Sequence, residues 1–356
     1  MAQLLCAFAY ASDLAFGLQL EDSMRSCYLA LRLAQQMDLP EEECRSAYYT
    51  ALLKDAGCTS WTTELATAWQ TNEIVARREL LIFTDMHDKK LFVSWMRQFV
   101  AAGQPTFRKL GRYCSVLTTS RGLFTEAFAT TATIAARIAS RLGLPDGVGN
   151  SMLHMFEQWD GGGAPRGLAG DAIPISSRIV LPTFSLIPFH RAGGREAALE
   201  VARKFSGRAF DPDVVRAFET LSEDESFWDE LEAEDIRDRV IALEPASEWQ
   251  RVGDERIDDA ALAFADFVDL KSRYKAAHSR RVGAVAEQLA RLMHCAEEAV
   301  VQIRRAALMH DLGVVAVPSY TLERPWRQLS ESEQDEYRLY PYHGERILRR
   351  APVLAP

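Results

Sequence analysis

Residues 278–313 read HSRRVGAVAEQLARLMHCAEEAVVQIRRAALMHDLG, and their apolar spacing decides the fold. Val282, Val285, Ala286, Leu289, Leu292 and Met293 recur at three- and four-residue steps, the period of a helix with one apolar face. A second helix is expected from about Glu297 to Met309, with Val300, Ile303 and Ala307 inward and Arg304 and Arg305 outward. Gly313 is placed to end it, because glycine accepts the left-handed conformation found beyond helix C-termini. His278 stands four residues before Val282, and His310 three after Ala307, so both are in phase with the apolar stripes. Two helices thus aim one imidazole each at a common interior, with Asp311 beside the second.

Shifted by 256 positions, the chain matches itself without a gap: residues 7–57 align with 263–313, and about a third of the pairs are identical. Ordinary residue usage would give roughly three or four matches, so the pattern reads as an internal duplication. Identities include Ala7-Phe8-Ala9 with Ala263-Phe264-Ala265, Leu33-Ala34 with Leu289-Ala290, and Gly57 with Gly313. The differences fall where the chemistry would be. His278, His310 and Asp311 face Asp22, Lys54 and Asp55, so one copy carries candidate metal ligands and the other lacks the imidazoles.

The helical pattern continues almost throughout, giving an all-α expectation of two helical domains in tandem. The first occupies 1–220 and the second 258–356, joined by an acidic helix and connector over 221–257 that ends near Glu244-Pro245-Ala246-Ser247. Within the first, Trp159-Asp160-Gly161-Gly162-Gly163-Ala164-Pro165 reads as a loop. The second domain stops about 100 residues in, where the first takes about 210, and reads as incomplete.

Bulk properties narrow the function. The 356 residues are 48% hydrophobic and 26% charged, with net charge −9, which gives no support for a nucleic-acid surface. A metal ion can still supply the positive charge that a phosphorylated substrate needs. The six cysteines show no CxxC spacing, so neither a zinc ribbon nor a disulfide framework is indicated, and buried thiols in a reducing cytoplasm are expected. The apolar start of the chain is interrupted by Asp13 and belongs to the repeat, so it reads as core helix. No run of eighteen apolar residues suggests a membrane span.

Neutral imidazole and carboxylate suit Fe, Mn, Zn, Ni or Co. A carboxylate has two oxygens and can bridge two ions roughly 3–4 Å apart, the arrangement of two-metal phosphate hydrolases. His343, four residues before Ile347, is a candidate third inward imidazole. His294 lies near a helix end and is expected at the surface, while His87 and His190 have no supporting pattern.

The runs AHSRRV (277–282), RRAALMHDLGVVAVP (304–318) and YHGERIL (342–348) resemble the HD-GYP branch of the HD-domain metal-dependent phosphohydrolases. In the first copy, FEQWDGGGAPRGLAGDAIPISSRI (156–179) resembles that family's later signature, and GRAFDPDVVRAF (207–218) its closing segment. The resemblance implies an all-α fold holding two or three divalent ions, often iron or manganese, that hydrolyses a phosphodiester such as a cyclic dinucleotide, typically cyclic di-GMP. It makes His278 the first metal ligand, His310 a terminal ligand, Asp311 the bridge and His343 the following ligand. A lysine usual three residues after the HD aspartate is Val314 here, and the family's paired histidines would fall beyond Pro356. The first copy keeps Glu157 and Asp160 but holds Met155 and Phe156 where the paired histidines belong, and the last aspartate ligand would fall near Phe184. It reads as a pseudo-enzyme domain with a structural, dimerising or ligand-sensing role, and a homodimer is an allowed assembly.

Two readings of Lys54 stay open: its ammonium sits between Asp22 and Asp55 as a covalently attached stand-in for the metal, or it snorkels to water along its aliphatic stem. Three readings of function also stay open: a phosphodiesterase active in the second copy, a non-catalytic regulatory module built on degenerate HD domains, and a helical scaffold with no ligand.

Overall fold

The computed structural model describes residues 1–80, 89–102, 104–245 and 253–354; His87 and residues 246–252 of the connector lie outside them. Helices make up nearly all of the ordered structure, and among the described residues the β-structure amounts to one isolated bridge between Ser206 and Phe210. The fold is all-α, and its helix starts are legible locally. Asn72 accepts hydrogen bonds from the Ile74 and Val75 amides, Asp211 caps a helix with proline in its first turn, and Ser330 with Glu333 forms a reciprocal capping box.

Cα packing groups the chain into two compact units. One comprises residues 1–13, 19–57 and 121–251; the other comprises 14–18, 58–120 and 252–356. This division cuts across the 1–220, 221–257 and 258–356 segmentation, since residues 58–120, expected in the first segment, pack with the last. One physical reason is a set of buried polar ties. Glu73 accepts from the Ser319 amide at 2.6 Å, and the Thr59 hydroxyl donates to the Phe267 carbonyl at 2.8 Å. Such ties between distant stretches of chain are invisible to periodicity.

In the first unit, helix Asp22–Gln36 packs on helix Glu41–Leu53 and is covered by helices Ile175–Phe205 and Pro212–Leu221. Leu29 and Leu33 are fully buried there, each contributing about 1.5–3 kcal/mol of hydrophobic stabilisation. In the second unit, helix His278–Leu292 packs on helix Glu297–Met309, and both touch helix Asp254–Asp269.

The helix pairs of the two units match in detail. Asp22–Gln36 and His278–Leu292 each have fifteen residues, and each is preceded by a residue in the left-handed region, Glu21 (φ 74°) and Ala277 (φ 54°). Glu41–Leu53 and Glu297–Met309 each have thirteen. The Ser23 hydroxyl donates to Asp13 at 2.6 Å, and the Ser279 hydroxyl donates to Asp269 at 2.7 Å. Every one of these partners is separated by the repeat offset.

Two expectations are corrected. The stripe on His278–Leu292 is not core: Val285, Leu289, Leu292 and Met293 are all exposed, because no helix among the described residues covers that face. The covering layer seen over Leu29 and Leu33 has no counterpart there among the described residues. Gly313 is also not a left-handed helix terminator, as it is not among the glycines with positive φ. A Cβ on Gly313 would lie 1.8 Å from the Tyr340 carbonyl oxygen and 2.5 Å from the Gly344 nitrogen, so glycine is needed for close backbone approach to helix Tyr340–Leu348. Gly57 does the same against Thr131 in helix Thr106–Arg141, where a Cβ would lie 2.2 Å from the Thr131 oxygen.

Candidate metal centre

The centre is built at two helix ends. His310 caps the C-terminus of helix Glu297–Met309, Asp311 follows it, and His278 is the first residue of helix His278–Leu292. The Nε2 atoms of His278 and His310 lie 3.5 and 3.3 Å from the same Asp311 oxygen, Oδ2. The ring centroids are 5.3 Å apart at 56°. One ligand atom from each of the three residues falls within 4.8 Å of the others.

Hydrogen bonding orders these groups. His310 Nδ1 lies 2.7 Å from the Ala307 carbonyl. A carbonyl can only accept, so Nδ1 carries the proton and Nε2 presents its lone pair toward Asp311. Metal-binding histidines are commonly oriented in this way. The first turn bearing His278 is pinned by Asp269, which accepts from the Ser279 amide at 2.9 Å and from its hydroxyl. Burial pushes the Asp269 carboxyl above its ordinary range, and the Ser279 hydrogen bonds oppose that shift. Asp311 is buried, whereas both imidazoles are about one-third exposed. The carboxylate is therefore the shielded floor, and the histidines form the rim.

The donor set fits a divalent first-row metal: two neutral imidazole nitrogens and a carboxylate converge from a rigid frame onto a solvent-facing rim. Among the described residues this is the group of three or more His, Cys, Asp or Glu that meets the spacing for an ion.

His343 lies outside this group. It is half-buried on helix Tyr340–Leu348, with its ring against Tyr342 at 5.7 Å. Burial, and then Arg346, hold its imidazole below the usual histidine range. Contact between Gly313 and that helix fixes the helix backbone without carrying the His343 ring to the others. Three of the four expected donors meet that spacing, and His343 does not belong to the same group. Val314, at the lysine position of the resembled family, is fully buried.

Lys275 was missed in the sequence. Its ammonium lies 2.5 Å from Asp311 Oδ2, and its side chain is one-fifth exposed. The repeat alignment gave no signal, because its partner position holds Gln19.

The positions in the first unit are arranged differently. Lys54 and Asp55 are both buried and paired with each other. Asp22 pairs with Arg191 at 2.5 Å. Glu157 accepts from the Arg166 and Leu168 amides at 2.8 and 3.0 Å, and Asp160 accepts from the Gly162 amide at 2.8 Å. Both carboxylates hold the glycine-rich loop in shape.

Residues 263–356 match the HD domain family model. Across 349 residues the chain is 29% identical to the 3'3'-cGAMP-specific phosphodiesterase 3 of Vibrio cholerae, covering 98% of this chain and 75% of that protein. The 3'3'-cGAMP-specific phosphodiesterase 1 of the same organism is 31% identical over 140 residues, 39% of this chain and 32% of its own length. A crystal structure of a cyclic GMP-AMP-specific phosphodiesterase from V. cholerae superposes with a TM-score of 0.73 at 28% identity, covering all of this chain and 80% of that one.

Proposed function

We propose that this chain, which carries an HD domain over residues 263–356, is a metal-dependent phosphodiesterase that hydrolyses a cyclic dinucleotide at the His278–His310–Asp311 centre. The observation that carries this reading is the convergence of two imidazole Nε2 atoms on one buried carboxylate oxygen. The similar proteins are named for 3'3'-cGAMP, which favours a mixed purine cyclic dinucleotide over cyclic di-GMP as substrate.

His278, His310 and Asp311 would hold the ion. Such an ion lowers the pKa of water toward about 7 and neutralises charge developing on phosphoryl oxygens. The protein's own contribution is placement. The Ala307 carbonyl fixes the His310 tautomer, Asp269 and Ser279 fix the helix start that bears His278, and the Gly313 contact fixes the backbone after Asp311. Lys275 is positioned to shed Asp311 and meet a phosphate oxygen with its ammonium. In the reaction, water oxygen bonds to phosphorus, one ester P–O bond breaks, the proton given up by the water ends on the departing ribose oxygen, and a linear dinucleotide results.

The test is paired. Elemental analysis should find Fe, Mn or Zn that disappears in His310→Ala, and 3'3'-cGAMP should be linearised by the wild type and not by the variant. Metal-free wild type that is inert toward 3'3'-cGAMP, cyclic di-GMP and simple phosphodiesters overturns the proposal. A regulatory, non-catalytic module is the second reading, and one observation favours it: His343 stands apart from the three-donor group.

A further inference from the structure

We infer that the first unit has replaced a metal ion by the ammonium of Lys54, so that its former centre is closed by a covalently attached cation. Three observations meet here. Lys54 occupies the C-cap of helix Glu41–Leu53, and His310 occupies the C-cap of the matching helix; each is followed by aspartate, Asp55 or Asp311. The Lys54 side chain is only 1% exposed and its ammonium pairs with Asp55, itself 2% exposed. The Lys54 Nζ also lies 4.3 Å from the centre of the Phe184 ring, and that aromatic face is a second partner for a cation.

Snorkelling is therefore excluded: a lysine stretching to water would expose its ammonium. The expected arrangement is refined at one point. Lys54 pairs with Asp55, and the Asp22 carboxylate, on which the Lys54 charge also acts, has Arg191 as its ion-pair partner. Each carboxylate at these positions thus has its own fixed cation. The donor set no longer fits a metal. An ammonium sits on the aspartate, an aromatic ring faces it, and the position matching His278 holds a carboxylate already engaged by a guanidinium. A buried carboxylate that stays ionised needs a compensating charge, and an ammonium supplies one that neither chelators nor metal supply can vary.

The inference concerns the first unit alone, so it stands or falls apart from catalysis at Asp311. The experiment uses the full chain in excess chelator, comparing Lys54→Met with Lys54→Met/Asp55→Asn by thermal unfolding. The single variant leaves the buried Asp55 without its cation and is expected to lower the melting temperature by about 10 °C, or to prevent folding. The double variant removes both charges and should recover most of that loss. Added Mn2+ or Zn2+ should leave the double variant's melting temperature no more raised than that of the wild type. The inference is overturned if the single variant melts like the wild type, or if the double variant is as damaged as the single. It is also overturned if His310→Ala protein retains metal that is lost on Asp55→Asn.

Discussion

Replacing Lys275 by methionine should tighten metal binding at the proposed His278–His310–Asp311 centre. In the structure the Lys275 ammonium lies 2.5 Å from Asp311 Oδ2, the oxygen that both imidazoles approach. It therefore competes with an incoming cation for the same anion. Two unit charges about 4 Å apart interact by about 1 kcal/mol in water and about 4 kcal/mol near a protein surface. Lys275 is one-fifth exposed and sits at the open rim, so screening and side-chain movement bring the penalty toward the lower value. A gain of about 1–3 kcal/mol corresponds to roughly 5- to 150-fold tighter binding. The assay is competition of the chelated protein against a metal-indicator dye with Mn2+ and with Zn2+, with His310→Ala as the blank. Turnover of cyclic dinucleotide should fall at the same time, because a cation facing the phosphate is lost. Unchanged or weaker metal affinity in Lys275→Met would refute the reasoning and make Lys275 a support of the centre.

Gly313→Ala should destabilise the second unit by about 3 kcal/mol or more in urea unfolding, because the new Cβ meets backbone atoms 1.8 and 2.5 Å away. Gly344→Ala, whose Cβ would meet its nearest neighbour at 3.3 Å, should cost far less, and equal costs would contradict the close-approach argument. Burial, and then Asp22, push the Asp13 carboxyl well above its ordinary range despite the Ser23 hydrogen bond. A raised folded-state pKa favours the protonated form, so wild-type stability should rise as pH is lowered from neutral toward the ordinary carboxylate range. Asp13→Asn should flatten that slope, and an unchanged slope would assign it to other groups. Leu289→Glu and Met293→Glu, both on the exposed face of helix His278–Leu292, should change stability by no more than about 0.5 kcal/mol. They should also reduce self-association in light scattering; a large stability loss would mean that the face is covered.

The helical class and the two matched helix pairs were legible because a 3.6-residue apolar period is the signature of a helix with one apolar face. His278, His310 and Asp311 stood out by residue type and by their place at the ends of two helices, where the structure groups them. Periodicity records only that a face is apolar, and it does not record what covers it. The Leu29 and Leu33 stripe is buried under two later helices, while the equivalent Leu289 stripe is bare. The same limit hid Lys275, a basic residue at the end of the short 3-10 helix Arg273–Lys275 whose contact with Asp311 depends on how the chain folds back. His343 was read from phase on its own helix, but its distance from the other imidazoles depends on packing between elements. Gly313 shows a further limit: one residue type serves left-handed turns and close approach alike, and only the neighbouring Tyr340 backbone tells them apart.

Whether a metal ion sits on Asp311 can be seen in crystals of the protein grown with Mn2+ and measured at the manganese absorption edge. An anomalous-scattering peak is expected between His278 Nε2, His310 Nε2 and the Asp311 carboxylate, with Lys275 displaced from Asp311. A metal-loaded crystal with no peak there, or with its peak beside Asp55, would contradict it.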